Sequence, residues 1–421
     1  MNSYEQALTF IHNRKVHGTK AGLHRITALL EQLGNPQKGL PFLHIAGTNG
    51  KGSTATMLAA VLEEAGYKTG CFTSPFIFDF RERFAINGAL IEKEDLVRIT
   101  TQVEAACSAL ETEQPTEFEI VTAIGMLWFA EQNCDIVVLE TGMGGRFDAT
   151  NVIEAPLASV ICSVSLDHTE ILGDTIEAIA FEKAGIIKEN CPVILYPANP
   201  EEAIAVIRRQ AEDKNAPFIM GQATDGICNG EGCRFTYREQ SYRIALRGAH
   251  QINNAVTAIE TLYTLRERGA VQFTEEQLKN GLNHAYIPAR LDQIHCNPSI
   301  YVDGGHNRDG IDSLVQAMDT IEDLKDPIII FGMMKDKPYQ YAIQKLALRA
   351  KAFLCVSLDH PRAITAFDLK NMADLYCDDC VACATFEEAA KLAKEKCSKS
   401  ILVAGSLYIT GEMTKELKKV F

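Results

Sequence analysis

"HIAGTNGKGSTAT", residues 44–56, decides the fold. The apolar run "PFLHIA" leads into the glycines, and beyond them Leu58, Val61, Leu62 and Ala65 recur at helical spacing, with Gly66 as a stop. Strand, glycine turn and helix in that order aim backbone N–H groups and a helix N-terminus at one spot, which holds an anion without help from side chains. Lys51 adds a point charge, and Ser53 or Thr54 can offer a hydroxyl to Mg²⁺. The stretch departs from G-x-x-x-x-G-K-[ST]: Ile45 stands where the first glycine belongs, and Gly52 pushes the hydroxyls one residue late. Two readings are open, a plain βα turn and a variant phosphate loop; the lysine and the paired hydroxyls favour the loop.

The bulk of the chain suits an enzyme of this kind. Its 421 residues allow two or three domains. Hydrophobic content of 47% and charged content of 23% are ordinary for a globular protein. No apolar run reaches the length of a membrane span, and "MNSYEQALTFIHNRKVHG" lacks a signal-peptide core. The net charge of -14 argues against general nucleic-acid binding while permitting local basic pockets. The thirteen cysteines are scattered and read as reduced thiols of a cytoplasmic protein. "CDDCVAC" groups Cys377, Cys380 and Cys383, with Cys397 as a distant fourth, but a structural zinc needs a closed ligand set. These cysteines read as small, buried or half-buried residues.

Strand and helix patterns alternate along most of the chain. "CDIVVLE", "LASVICSVSLDH" and "CPVILY" read as buried parallel strands. Residues 221–246 carry turn signals and suggest a small antiparallel excursion. "AYIPARLDQI" reads as a hinge punctuated by Pro288, and "SIYVDGG", "PIIIFGMM", "AFLCVS" and "SILVAGS" begin a second alternation. The expectation is an α/β protein of two domains. Residues 1–288 form a phosphate-loop domain with a mainly parallel sheet, and residues 289–421 a smaller Rossmann-like domain.

Glu140 closes the strand "IVVLE", where a carboxylate beside a phosphate loop serves Mg²⁺ directly or through water. "TGMGGRFDATN" follows at once. The next strand runs on to Asp167 and His168, which puts the histidine on the same predicted rim. In "DTIEAIAFEKAGIIK" the inward stripe is Ile176, Ile179, Ala180 and Ile187, and Lys183 falls on it, away from Glu177 and Lys188. A lysine there either snorkels past the apolar surface or is buried with a shifted pKa.

These blocks resemble one family. "HIAGTNGKGST", "SPFIFDFRERFAING", "LETGMGGRFDATNVI", "LDHTEILGDTIEAIAFEKAGIIK", "GAHQINNA", "VDGGHN" and "AGSLYIT" are similar, in order, to folylpolyglutamate and dihydrofolate synthases within the Mur-type ligases. The glycine after Lys51 is typical of that folate branch. The resemblance implies an ATP-dependent amide ligase in which a pterin carboxylate takes the γ-phosphoryl group and glutamate attacks the acyl phosphate. By matching position, Gly47, Thr48, Asn49, Gly50, Lys51, Gly52 and Ser53 would hold the triphosphate. Ser74, Glu140 and His168 would serve two Mg²⁺ ions, and Lys183 matches a lysine carbamylated in related enzymes. Asn254, Arg290 and Asp303 align with nucleotide contacts, and His306 and Ser406 with the glutamate end. Thr116, Glu117, Phe118 and Glu119, with Phe147, Asp148 and Ala149, would face the pterin. The chain departs from the family in reading Phe76-Ile77 where His-Leu is common and Glu117 where an aromatic is frequent.

The expected substrates are ATP, L-glutamate and a folate or 7,8-dihydropteroate, and the expected state is a cytoplasmic monomer. The alternatives are a Mur-type ligase of a peptidoglycan precursor and a nucleotide-dependent binding protein without turnover. The folate-type blocks weigh against the first, and the intact Glu140, His168 and Lys183 against the second.

Overall fold

A computed structural model describes residues 1–14, 22–110, 113–397 and 399–421. They pack as two compact units, residues 1–223 with 253–284 and residues 224–252 with 285–421. Residues 224–252, which the sequence reading assigns to the first domain, therefore pack with the second unit.

The first unit is built on an eight-stranded sheet in the order β4-β3-β2-β5-β1-β6-β7-β8. Its strands are β1 (Phe42–Ala46), β2 (Thr69–Phe72), β3 (Phe84–Ile86), β4 (Ala89–Leu90), β5 (Ile136–Glu140), β6 (Ala158–Ile161), β7 (Val193–Leu195) and β8 (Phe218–Met220). The strands β2, β5, β1, β6, β7 and β8 run parallel, and β3 and β4 finish one edge antiparallel. Every residue of β1, β5 and β6 is buried, as continuous apolar runs covered on both faces should be. The registers Phe72↔Leu139, Ile45↔Glu140 and Ala46↔Ile161 bring the C-terminal ends of β2, β5, β1 and β6 to one line. In parallel sheets that line is where ligands bind.

In the second unit, β9 (Gly226–Asn229), β10 (Gly232–Tyr237) and β11 (Gln240–Ile244) form a three-stranded antiparallel sheet. A six-stranded sheet follows in the order β12-β13-β17-β14-β15-β16. It uses β12 (Asp292–Cys296), β13 (Ser299–Val302), β14 (Ile328–Phe331), β15 (Ala352–Cys355), β16 (Cys380–Ala382) and β17 (Ser400–Ala404), with β12 the antiparallel edge. Arg247 binds the two sheets together, donating from Nε to the Gly230 carbonyl at 2.6 Å and from its guanidinium to Gln293 Oε1 at 3.3 Å. Cys228 and Cys233 are joined by a disulfide, which corrects the reading of all cysteines as reduced thiols. The β9–β10 register places the two directly opposite, with Cα atoms 4.1 Å apart.

No helix among the described residues is long and apolar enough to cross a membrane.

Candidate active site

The phosphate loop leaves β1 and enters the helix Lys51–Glu64, which begins at the lysine itself. Thr48 fastens the loop to the segment after β6. Its amide donates to the Ser163 carbonyl at 2.7 Å, and its hydroxyl donates to the Ser165 carbonyl and accepts from the Ser165 amide, both at 3.1 Å. Lys51 folds back, its Nζ donating to the Gly47 carbonyl at 3.0 Å and the Thr48 carbonyl at 3.3 Å. The loop is thus preshaped, with the amides of Gly52 and Ser53 at the positive end of the helix. Asn254 reaches the loop from the helix His250–Glu267: a Cβ on Gly50 would lie 2.4 Å from its Oδ1.

Ser74 follows β2, and its amide donates to Glu140 Oε2 at 3.2 Å. Glu140 is 3% exposed at the end of β5. Burial pushes the Cys162 thiol up to about 12, the Thr54 hydroxyl and the charges of Lys51 and Lys183 oppose the rise, and Glu140 adds to it. His168 arrives differently. The strand stops at Ile161, short of the residue the sequence reading takes as its end, because Ser163 and Ser165 turn their backbone toward Asn49 and Thr48 instead. His168 lies on the following loop, exposed, with a left-handed φ of 51°.

Lys183 is buried at 2% exposure in the helix Ile176–Ala184, beside Ile179 and Ala180. Burial, with Lys51 adding like-charge repulsion, lowers its pKa to about 7, against which Asp167, Cys162 and Asp148 pull upward. Near neutral pH, then, a large fraction of the amine is uncharged and nucleophilic. The described residues contain no cluster of three or more His, Cys, Asp or Glu able to close on a metal. The hard oxygen donors at Ser74 and Glu140 still suit Mg²⁺, which ordinarily takes one or two protein ligands and completes its shell with phosphate and water.

On the far side of β5, Phe118 packs under the loop after Glu140: a Cβ on Gly142 would stand 2.6 Å from its ring. Thr116 and Glu119 form a reciprocal capping box at the start of the helix Glu117–Glu131, and Glu117 pairs with His12 at 2.9 Å. Phe147 is 45% exposed with the Arg146 guanidinium 4.4 Å from its ring centre, while Asp148 and Ala149 are buried.

In the second unit, Asp303 and His306 follow β13 and Ser406 follows β17, and these strands are parallel neighbours. The Asp303 carboxylate accepts from the amides of Leu291 at 2.9 Å and Gly305 at 2.8 Å. Burial raises its pKa and the Arg290 guanidinium opposes the rise. His306 Nδ1 meets the Gly304 carbonyl at 2.9 Å, and Ser406 caps the helix Leu407–Val420.

Several polar groups that brace this region escape a reading by sequence. Arg25, 4% exposed, donates from Nε to both oxygens of Glu119 at 3.1 Å. His44, inside the opening stretch, places Nε2 2.8 Å from the Thr150 hydroxyl, which donates to Asp148 Oδ1 at 2.6 Å. Burial holds His44 neutral, with its pKa near 3. Thr150 spends its proton on the carboxylate, so His44 must carry its own on Nε2, and the partnerless buried atom is the bare acceptor Nδ1. Only the position of His44 in a buried strand hinted at any of this.

Two family descriptions match the chain: "Mur ligase middle domain" over residues 45–262 and "Mur ligase, glutamate ligase domain" over residues 289–407. The dihydrofolate synthase/folylpolyglutamate synthase of Bacillus subtilis is 40% identical over 433 residues, covering 99% of both chains. Among solved structures, an FPGS–AMPPCP–folate complex is 30% identical with a TM-score of 0.86, covering 100% of each chain. Escherichia coli FolC in complex with DHPP and ADP is 25% identical with a TM-score of 0.87, covering 100% of this chain and 98% of that one.

Proposed function

Because the chain belongs to the dihydrofolate synthase/folylpolyglutamate synthase family of the Mur ligases, we propose that it joins L-glutamate to a folate, and to 7,8-dihydropteroate, at the expense of ATP. The observation that supports this reading is the phosphate loop after β1 beside the Ser74–Glu140 hydrogen bond, at the C-terminal ends of adjacent parallel strands.

The substrate carboxylate attacks the γ-phosphorus and ADP leaves; the glutamate amine then attacks the acyl carbon, phosphate leaves, and the amine gives up a proton. Such transfer between anions needs alignment and charge neutralisation more than covalent help. The loop amides and Lys51 cradle the triphosphate, and Asn254 braces the loop through Gly50. Ser74, Glu140 and His168 would hold Mg²⁺, which would supply positive charge to the phosphate oxygens. A partly uncharged Lys183 suits carbamylation, in which nitrogen adds to CO₂ and loses a proton, leaving an anion where an ammonium would repel metal. Phe118 and Phe147 offer flat apolar faces to a pterin. Arg290 and Asp303 are assigned to the nucleotide, His306 and Ser406 to glutamate.

Purified protein with ATP and glutamate should release phosphate when given dihydropteroate or tetrahydrofolate in separate reactions. Phosphate release that ignores glutamate in both would sink the ligase reading. Turnover of one pterin alone would narrow it to a single activity.

A further inference from the structure

We propose that Asn151 is a positioning residue for Lys183, an inference that rests on the carbamylated lysine proposed above. Asn151 sits in the short turn Ala149–Val152 and is 6% exposed. Its Nδ2 donates to two carbonyls at once, Arg146 at 3.0 Å and Gly185 at 3.1 Å. Arg146 belongs to the loop that leaves Glu140; Gly185 caps the helix that carries Lys183. One amide group therefore ties the carboxylate's loop to the lysine's helix.

The surrounding backbone closes the same seam. The Arg146 amide donates to the Glu182 carbonyl at 2.8 Å, and Lys188 Nζ reaches back to the Asn151 carbonyl at 3.2 Å. A Cβ on Gly145 would lie 2.8 Å from the carbonyl oxygens of both Glu182 and Lys183, and one on Gly185 would lie 2.3 Å from the Arg146 Cβ. The segments approach as closely as glycine allows, so the seam has no slack to absorb a lost tie.

The chemistry of the tie is selective. Two carbonyls require two N–H donors from one atom, which a carboxylate or hydroxyl does not supply. The Asn151 Oδ1 is buried without a partner, so the amide is oriented by its donors alone. A flipped amide would set an acceptor against two acceptors. A mere helix cap would stabilise the fold and leave Lys183 chemistry untouched; a positioning residue changes how readily the lysine keeps its carbamate.

The test uses Asn151→Ala and Gly185→Ala, which open the seam from opposite sides, in buffer stripped of CO₂ and titrated with bicarbonate. With the parent's rate dependent on bicarbonate, Asn151→Ala should need roughly tenfold more for half-maximal rate, the size expected for a pair of hydrogen bonds, and Gly185→Ala should shift the same way. The KM for ATP should stay within about twofold, and saturating bicarbonate should restore most of kcat. A parent that needs bicarbonate beside folded variants of unchanged dependence overturns the inference alone. A parent indifferent to complete CO₂ removal overturns the carbamate and this inference together. Loss of the fold in Asn151→Ala overturns it too, since Asn151 would then be a structural cap.

Discussion

Gly50 and Asn254 lie so close that a Cβ at position 50 would meet Asn254 Oδ1 at 2.4 Å and Cγ at 3.1 Å, and the asparagine side chain would have to shift. The backbone adds a second demand, for Gly50 has φ of 83°, in the left-handed region.

Gly50→Ala should therefore cost about 1–3 kcal/mol of stability and displace the loop from Asn254. A urea titration reads the first effect. A rise in KM for ATP larger than any fall in kcat reads the second, and parental values for both would show that the contact yields freely.

Glu140→Ala and His168→Ala should stay folded and lose activity, by about a hundredfold or more for Glu140. A Mg²⁺ titration separates the roles. A residue serving the metal shifts the half-saturating concentration upward, and near-normal curves in both variants would remove both from the metal site.

Arg25→Met leaves the Glu119 carboxylate buried without its main cation and should destabilise by about 3–5 kcal/mol. Glu119 also holds the Thr116 amide at 2.7 Å, so Glu119→Gln should be milder than the arginine change. Equal denaturation midpoints for Arg25→Met and the parent would show that water reaches the carboxylate.

Lys183 carries a pH signature. Its folded pKa near 7 lies below the roughly 10.4 of an unfolded lysine, so between those values the unfolded chain binds more protons and stability rises with pH. Below about 7 both states are protonated and the full penalty stands. In CO₂-free buffer, Lys183→Met should be more stable than the parent at pH 7, with a flatter slope up to about pH 10. An unchanged slope would mean the ammonium is solvated after all.

The strands and the phosphate loop were legible because burial on both faces writes itself as apolar runs, and because Gly50 and Lys51 are local signals. The inward face of Lys183 was legible from helical spacing alone. The end of β6 was not, since an apolar stretch continues through Val164 while the backbone has already turned to Thr48. Nor were the partnerships of Arg25 with Glu119, or of His44 with Thr150, which join residues about a hundred positions apart. Residues 224–252 carry no compositional mark of the unit they join; Arg247 and the facing Cys228 and Cys233 become informative only once the strands are paired.

Each compact unit is assembled from two separate lengths of chain, and this orders events during synthesis. The first 223 residues emerge without the helix Glu275–His284, whose Gln277 side chain donates to the Glu64 carbonyl at 3.2 Å, or Gln272, whose amide meets the Tyr67 hydroxyl at 2.8 Å. In the meantime the hairpins of residues 224–252 are out of the ribosome with Arg247 still lacking Gln293. A nascent chain thus exposes an unfinished surface on one unit and an orphan sheet of the other at the same moment. That interval, more than any single contact in the finished molecule, is when a chaperone would have something to hold.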